Sequence, residues 1–275
     1  MKTKEDIDIL INREISRAGF DVKLSEIVNY VFSTGGKRLR ALMFLETYSL
    51  SGNDANEAVE KFAVAIECLH QYTLVHDDLP CMDNDSIRRG MPSCHAKYGE
   101  TFALLAGDAL LNYAYTLILD AIKISGYDRN FVNAAYAFSV LSGGSGVIGG
   151  QFLEFASTSP LSDVFDVYRR KTCYLMWGAV YAGAVIAKLP QNTINRLNEY
   201  VYNYGFCFQI CDDFADIKEK GEVSSQSIIS LYGPEKSKKM AIEAADNAKK
   251  SLVMSGINSG FFTGLIDKLV GMLVD

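Results

Sequence analysis

Apolar positions along the chain recur every three to four residues, the period of an amphipathic helix, and strand-like alternation is scarce. Val59, Phe62, Ala63, Ile66 and Leu69 keep this period, as do Leu104, Leu105, Leu110, Leu111, Ala114, Leu117 and Ile118. Several such segments are apolar nearly all the way round, which predicts helices packed on every side inside a large bundle. The breaks between them are short and built from turn formers: Gly35-Gly36, Gly52-Asn53-Asp54, Leu189-Pro190 and Gly233-Pro234. No repeat of fixed period and no low-complexity linker interrupts the pattern. Residues 1–275 therefore read as a single all-α domain of roughly ten or more helices, at typical helix lengths of ~11–12 residues. From Pro234 onward the chain is first rich in lysine and alanine and then amphipathic, which predicts peripheral helices.

Composition narrows the possibilities without choosing a function. Hydrophobic residues make up 49% of the 275 and charged residues 22%, as in a folded globular protein rather than a disordered one. A net charge of −6 argues against nucleic acid as the main partner but leaves room for a local basic cluster. The six cysteines show no paired CxxC spacing. Cys207 and Cys211 lie one helical turn apart but have no nearby histidine, so buried, reduced thiols are expected. Residues 1–8 are charged and lack a signal peptide's apolar core, which points to the cytoplasm. The uncharged stretch 131–153 is interrupted by Ser142-Gly143-Gly144-Ser145-Gly146, and the apolar stretch 172–187 falls short of the ~20 residues that cross a bilayer. Both read as core helices of a soluble protein, not as parts of an integral membrane protein.

Chemistry concentrates in the string CLHQYTLVHDDLPCMDNDSIRRG at 68–90. Asp77, Asp78, Asp83 and Asp85 follow an apolar run, and Arg88-Arg89 close the group; Asp108 lies further on. A second cluster, Asp212-Asp213-Phe214-Ala215-Asp216, follows another apolar run. Asp212 and Asp216 are four apart, so on a helix they share a face, with Gln209 one turn below. Read alone, each cluster is a solvated acidic helix end. Yet like charges at this spacing cost a few tenths of a kcal/mol, and aspartate is a mediocre helix former. A divalent cation would remove the repulsion. Magnesium suits best, because it takes one or two carboxylates and completes its shell with water and phosphate oxygens.

Basic runs accompany the acidic ones: Gly35-Gly36-Lys37-Arg38-Leu39-Arg40, Arg88-Arg89-Gly90 and Arg169-Arg170-Lys171-Thr172, the last opening an apolar helix. Any one of them reads as a solvated loop. Interleaved with two carboxylate clusters, they suggest a ligand with several phosphates, since guanidinium forks match phosphate oxygens and lysine supplies a point charge.

Residues 68–90 closely resemble the first aspartate-rich motif of the trans-prenyl diphosphate synthases, in the bacterial farnesyl diphosphate synthase form with two aspartates, four residues and a third aspartate. Asp212 to Asp216 resemble the second motif. The resemblance extends to Gly35–Arg40, GETFALLAGDALL at 99–111, Gly149-Gly150-Gln151 and Lys171-Thr172, in the family's order. It implies a polyprenyl synthetase domain over 1–275, a helical bundle around a central cavity, and a homodimer. It also implies that Asp77, Asp78 and Asp83 face Asp212 and Asp216, with Asp213 in support, holding a trio of magnesium ions on an allylic diphosphate. Arg88, Lys171, Thr172 and Gln209 would contact that substrate. Lys37, Arg40, His70 and Arg89 would bind the diphosphate of isopentenyl diphosphate. Without the resemblance His70 reads as a core histidine, although it lies two turns from Asp77 on the same helix face. The implied reaction ionises dimethylallyl or geranyl diphosphate, joins the cation to isopentenyl diphosphate and loses a proton. Farnesyl diphosphate would be the product, with Tyr72 or Thr73 beneath Asp77 setting chain length; the resemblance favours Tyr72.

The chain also departs from that pattern. After Asp216 the usual loop with a Gly-Lys-Ser/Thr element is shortened to IKEKGEVSSQSIISLYG, with Ser224-Ser225 near the place of the lysine. Ala41 stands where proline is common, Glu154 stands where aspartate is usual, and the end of the chain carries no basic tail. The alternatives are a geranyl or geranylgeranyl diphosphate synthase, a non-catalytic modulatory subunit, or a terpene cyclase. A cyclase's second metal motif mixes Asn, Ser and Glu, which Asp212 to Asp216 do not.

Overall fold

Thr3 starts the first helix from both directions: its hydroxyl accepts from Asp6 N–H at 3.3 Å, and the Asp6 carboxylate accepts from Thr3 N–H at 2.7 Å. Such a capping box satisfies two of the donors that every helix start leaves orphaned. A computed structural model describes residues 2–156, 160–220 and 227–274. Among the described residues nearly every element is helical, as the apolar period predicts, and the chain divides into two compact units, Met1–Val132 and Asn133–Asp275.

The first unit contains α1 (Lys4–Arg17), α2 (Val22–Ser33), α3 (Leu39–Ser49) and α4 (Glu57–Asp77). A two-residue hairpin follows, β1 (Ile87–Arg88) with β2 (Met91–Pro92), and then α5 (Cys94–Tyr98) and α6 (Glu100–Ile124). α4 is the centre. Asn56 caps it by accepting from Val59 N–H at 3.1 Å, and it packs along α6 with α1 and α3 also against it. Phe62, Val64, Ile66 and Leu69 are fully buried on different sides, which is why the segment is apolar all round. Each such side chain contributes about 1.5–3 kcal/mol by leaving water. Two charges are buried with them and are paired: Lys61 Nζ lies 2.8 Å from the fully buried Glu14 Oε2, and Arg13 Nε 2.8 Å from Glu14 Oε1.

The second unit follows from α7 (Arg129–Ser142), which crosses the boundary. It comprises α8 (Val147–Ala156), α9 (Pro160–Val167), a π-helical segment Tyr168–Cys173, α10 (Tyr174–Ile186), α11 (Gln191–Lys220), α12 (Ile228–Tyr232), α13 (Pro234–Ser255) and α14 (Gly260–Val274). The basic run Arg169 to Thr172 does not open a helix, as the sequence suggests. The run instead lies in the π-helical segment between α9 and α10, and buried Val164 and Val167 already extend the apolar face upstream of it. α10 is buried on nearly every side. The helices after Pro234 are less peripheral than their composition suggests. α13 lays Ala241, Ala244, Ala245 and Ala248 on α11, and Tyr200 Oη donates to Phe262 O at 2.9 Å.

Two stretches, Glu100–Ile124 and Arg129–Ala156, are long and apolar enough to cross a membrane by length and composition. The second is broken by the turn between Ser142 and Val147, where the glycines fall. The stretch from Thr172 does not meet that test among the described residues.

Candidate active site

In the first unit the acidic cluster sits where α4 ends. Asp77 is the last helical residue and Asp78 the C-cap, so adjacent carboxylates leave the helix in different directions. Asp78 is 2% exposed and accepts the Arg88 guanidinium as a fork, Nε lying 3.0 Å from Oδ1 while the NH2 nitrogen donates to the same oxygen. Asp77 is half-buried and Asp83 exposed. The four residues between Asp78 and Asp83 fold back as a turn: Asp83 N–H donates to Asp77 O at 2.9 Å, and Asn84 N–H to Leu79 O at 3.1 Å. The insert thus brings the third aspartate beside the first. Carboxylates at a helix C-terminus face the negative end of its dipole, unfavourable by about 0.3–1 kcal/mol each. A cation at this place relieves that cost.

The Arg-Arg-Gly string is a hairpin turn. Arg89 at φ 55° and Gly90 at φ 76° occupy its two central positions, the left-handed pair that a tight two-residue hairpin requires. The turn sends Arg88 to Asp78 and returns Arg89, whose NH1 donates to Gly35 O at 2.6 Å. Arg38 is 4% exposed and pins the glycine loop from within, donating to Asp8 Oδ1 at 2.7 Å and Phe32 O at 2.8 Å. Lys37 is exposed. Arg40 NH1 lies 2.9 Å from His70 Nε2. A guanidinium can only donate, so Nε2 accepts and the imidazole proton sits on Nδ1. Loss of water, then the charges of Arg40, Arg89, Arg38 and Arg88, hold His70 well below its ordinary range and keep it neutral.

In the second unit Asp212 and Asp216 are exposed on α11, while Asp213 turns into the protein. Tyr168 Oη donates to Asp213 Oδ2, and Gln209 Nε2 donates to Oδ1 at 3.2 Å. Gln209 Oε1 in turn accepts from Thr172 Oγ1 at 2.7 Å. Burial pushes the Asp213 carboxyl up to about 6, Asp212 and Asp216 adding to the rise and the Tyr168 and Gln209 donors opposing it. Lys171 Nζ donates to Glu154 Oε2 at 2.5 Å, so the glutamate in place of the usual aspartate is within reach of the motif lysine. Gly150 allows α8 to approach the π-helical segment: a Cβ there would lie 2.5 Å from Lys171 N. Gly150→Ala is expected to cost about 1–3 kcal/mol, because backbone cannot yield as a side-chain tip can. Gly264→Ala, at an exposed helical position with open space around it, is expected to be neutral or stabilising. Thermal melts of both variants check this, the first falling by about 2–4 °C for each kcal/mol lost.

Among the described residues no three or more His, Cys, Asp or Glu side chains form a ready-made metal cage. The acidic groups present hard oxygen donors in ones and twos. That donor set fits magnesium, which keeps several waters and is held by one or two carboxylates together with substrate phosphates.

The polyprenyl synthetase family model matches residues 21–251, a span that includes both acidic clusters and all three basic runs. The chain belongs to the polyprenyl synthetase family. It is 36% identical over 266 residues to the geranylgeranyl diphosphate synthase of Cyanophora paradoxa, covering 91% of this chain and 87% of that one. To the farnesyl diphosphate synthase of Escherichia coli it is 35% identical over 242 residues, covering 82% and 81%. A solved FPP/GFPP synthase from Zymomonas mobilis matches with a TM-score of 0.82 at 32% identity, covering 98% of this chain and 97% of that one.

The residues singled out in this polyprenyl synthetase fall into two local groups. Lys37, Arg40, His70, Asp77, Asp78, Asp83, Arg88 and Arg89 lie in the first unit, and Lys171, Thr172, Gln209, Asp212, Asp213 and Asp216 in the second. Within them the structure joins Arg40 to His70, Arg88 to Asp78, and Thr172 and Asp213 to Gln209. Tyr72 is 6% exposed with its ring edge-on to His76 at 5.7 Å, and Thr73 Oγ1 donates to His70 O at 2.8 Å. Ser224 and Ser225 lie outside the described residues.

The motifs do not reveal Glu67. It is 1% exposed, and its Oε1 accepts from Ala41 N–H at 3.1 Å. The residue preceding α3, Arg38, is left-handed at φ 50° and gives no side-chain cap, so Glu67 caps α3 from the neighbouring helix. Burial pushes its carboxyl upward, opposed by Ala41 N–H and then by Arg38, Arg40 and Arg89. The only sequence clue is a carboxylate inside the apolar run Val64-Ala65-Ile66-Glu67-Cys68.

Proposed function

We propose that the protein condenses isopentenyl diphosphate head to tail with dimethylallyl and then geranyl diphosphate, releasing farnesyl diphosphate. One observation carries the reading: in each acidic cluster a buried or half-buried carboxylate, Asp78 or Asp213, is held by named protein donors, while Asp83, Asp212 and Asp216 are exposed and Asp77 is half-buried. This division suits a diphosphate brought in with its cations. Asp77, Asp83, Asp212 and Asp216 would hold magnesium on the allylic diphosphate, whose departing charge the bound metal stabilises. Asp78 orients Arg88, and Arg88, Lys171, Thr172 and Gln209 bind the same diphosphate. Lys37, Arg40, Arg89 and His70 take the diphosphate of isopentenyl diphosphate. His70 contributes a neutral donor, since its Nδ1 has no protein partner among the described residues.

With the diphosphate charge held, the allylic C–O bond breaks and leaves a carbocation. The double bond of isopentenyl diphosphate attacks it, and the adjacent proton passes to the released diphosphate. No side-chain nucleophile takes part. Exposed Phe102, Leu105 and Leu119 on α6 support a homodimer that covers them. A twenty-carbon product is the second reading, favoured by the name of the Cyanophora paradoxa relative.

Incubation with isopentenyl diphosphate and each allylic primer, with and without Mg²⁺, tests both readings through product chain length. Farnesyl diphosphate formed only with Mg²⁺ is expected. Geranylgeranyl diphosphate as the main product would replace the first reading with the second. No prenyl product from any primer at saturating Mg²⁺ would leave a modulatory subunit or another activity.

A further inference from the structure

Tyr168 belongs to none of the sequence motifs, yet its hydroxyl joins two elements of the second unit. The side chain is 6% exposed and lies in the π-helical segment, three residues before Lys171. Its Oη donates to Asp213 Oδ2 and accepts from Ile228 N–H at 3.1 Å. Ile228 is the first residue of α12, so its N–H is one of the donors that a helix start leaves without an intrahelical acceptor. The Ser227 cap is already engaged with Ser230 N–H at 3.1 Å. A phenol can donate and accept at once, so one oxygen serves both neighbours. The resulting network runs from Ile228 through Tyr168 to Asp213, and from Thr172 through Gln209 to the other oxygen of Asp213. The Tyr168 ring is braced by Phe206, with ring centroids 6.4 Å apart.

We propose that Tyr168 is a positioning residue that couples the first turn of α12 to the second acidic cluster. It holds the Asp213 carboxylate turned away from Asp212 and Asp216, and it makes the hold on α12 depend on what those two carboxylates bind. The physical basis is polarisation: a hydroxyl that donates to a carboxylate becomes a better acceptor for the N–H behind it. Cations on Asp212 and Asp216 alter the field at Asp213 and hence the strength of the whole chain. Linkage then requires reciprocity, so whatever diphosphate binding does to the Ile228 hydrogen bond, that bond does to diphosphate affinity. The inference rests on the proposed function for its ligand, a metal diphosphate, but its first readout does not need turnover.

Amide hydrogen exchange of α12 is measured in the full chain, with and without Mg²⁺ plus inorganic diphosphate. In the unmodified protein the mixture is expected to change the exchange rate at Ile228, while Mg²⁺ alone has less effect. Tyr168→Phe keeps the ring and removes only the hydroxyl. It is expected to speed exchange at Ile228 and to abolish the response. An unmodified protein whose α12 ignores Mg²⁺ and diphosphate would overturn the coupling, as would a Tyr168→Phe variant that responds equally. In kinetics, the variant is expected to raise KM for the allylic diphosphate about tenfold and leave KM for isopentenyl diphosphate unchanged. A merely structural role would instead lower stability and move both constants together. If the unmodified protein makes no prenyl product the function reading falls, while the exchange experiment still decides the coupling.

Discussion

Asp77→Asn and Asp212→Asn are each expected to lower turnover about 100- to 1,000-fold, the range seen when one preorganised electrostatic contact to a developing charge is lost. Both substitutions keep the shape of the side chain and remove its charge, so the helical fold should survive. Asp77 ends α4 against the negative end of its dipole, and Asp212 lies next to Asp213 and one turn from Asp216. Without metal, relief of these repulsions offsets the attraction lost between Asp77 and Arg88, so melting temperatures are expected to change little. Asp78→Asn provides the contrast. Its carboxylate is buried and holds Arg88, so the substitution should lower the melting temperature as well as the rate. Steady-state rates across a Mg²⁺ titration, with circular dichroism melts, separate the cases. Near-normal turnover of both Asp77→Asn and Asp212→Asn at saturating Mg²⁺ would remove the metal assignment.

With the proposed farnesyl product as the reference, Tyr72→Ala is expected to lengthen it from fifteen carbons towards twenty or more. Tyr72 precedes Asp77 by five residues, about 7.5 Å along the axis at 1.5 Å per residue. On the proposed binding of the diphosphate at Asp77, a growing chain would extend to about that depth, where a bulky ring would act as a floor. The competing site is Thr73, which lies more directly beneath Asp77. Its hydroxyl bonds back to His70 O in its own helix, and its side chain is small. If Tyr72 only packs the core, its truncation should cost ~3–5 kcal/mol and leave chain length unchanged. Product analysis on a variant shown to be folded decides between the two. A folded Tyr72→Ala enzyme that still stops at fifteen carbons removes Tyr72 from chain-length control.

The helical character of the chain was legible from its sequence because its causes are local. Capping at Thr3 and Asp6 acts over three residues, and the apolar period of α4 reports that the helix is surrounded, not by what. The two acidic clusters were equally visible, because a run of like charges in apolar sequence has no local benefit. The division of labour inside them was not. Asp77 and Asp78 are the same residue type in adjacent positions, and only Arg88, returned by a hairpin ten residues later, turns one of them inward. Arg38 and Arg40 likewise look interchangeable in the glycine-led run. Arg38 is held inside by Asp8 and Phe32 O, and Arg40 reaches His70 on another helix. Glu67 caps a helix that starts 28 residues before it, since Arg38 supplies no cap, and Tyr168 meets Ile228 60 residues away. Sequence determines which residues can form helices and which carry charge. Tertiary structure decides which partner each buried polar group finds, because such a group must be satisfied by whatever donor or acceptor packing brings within about 3 Å.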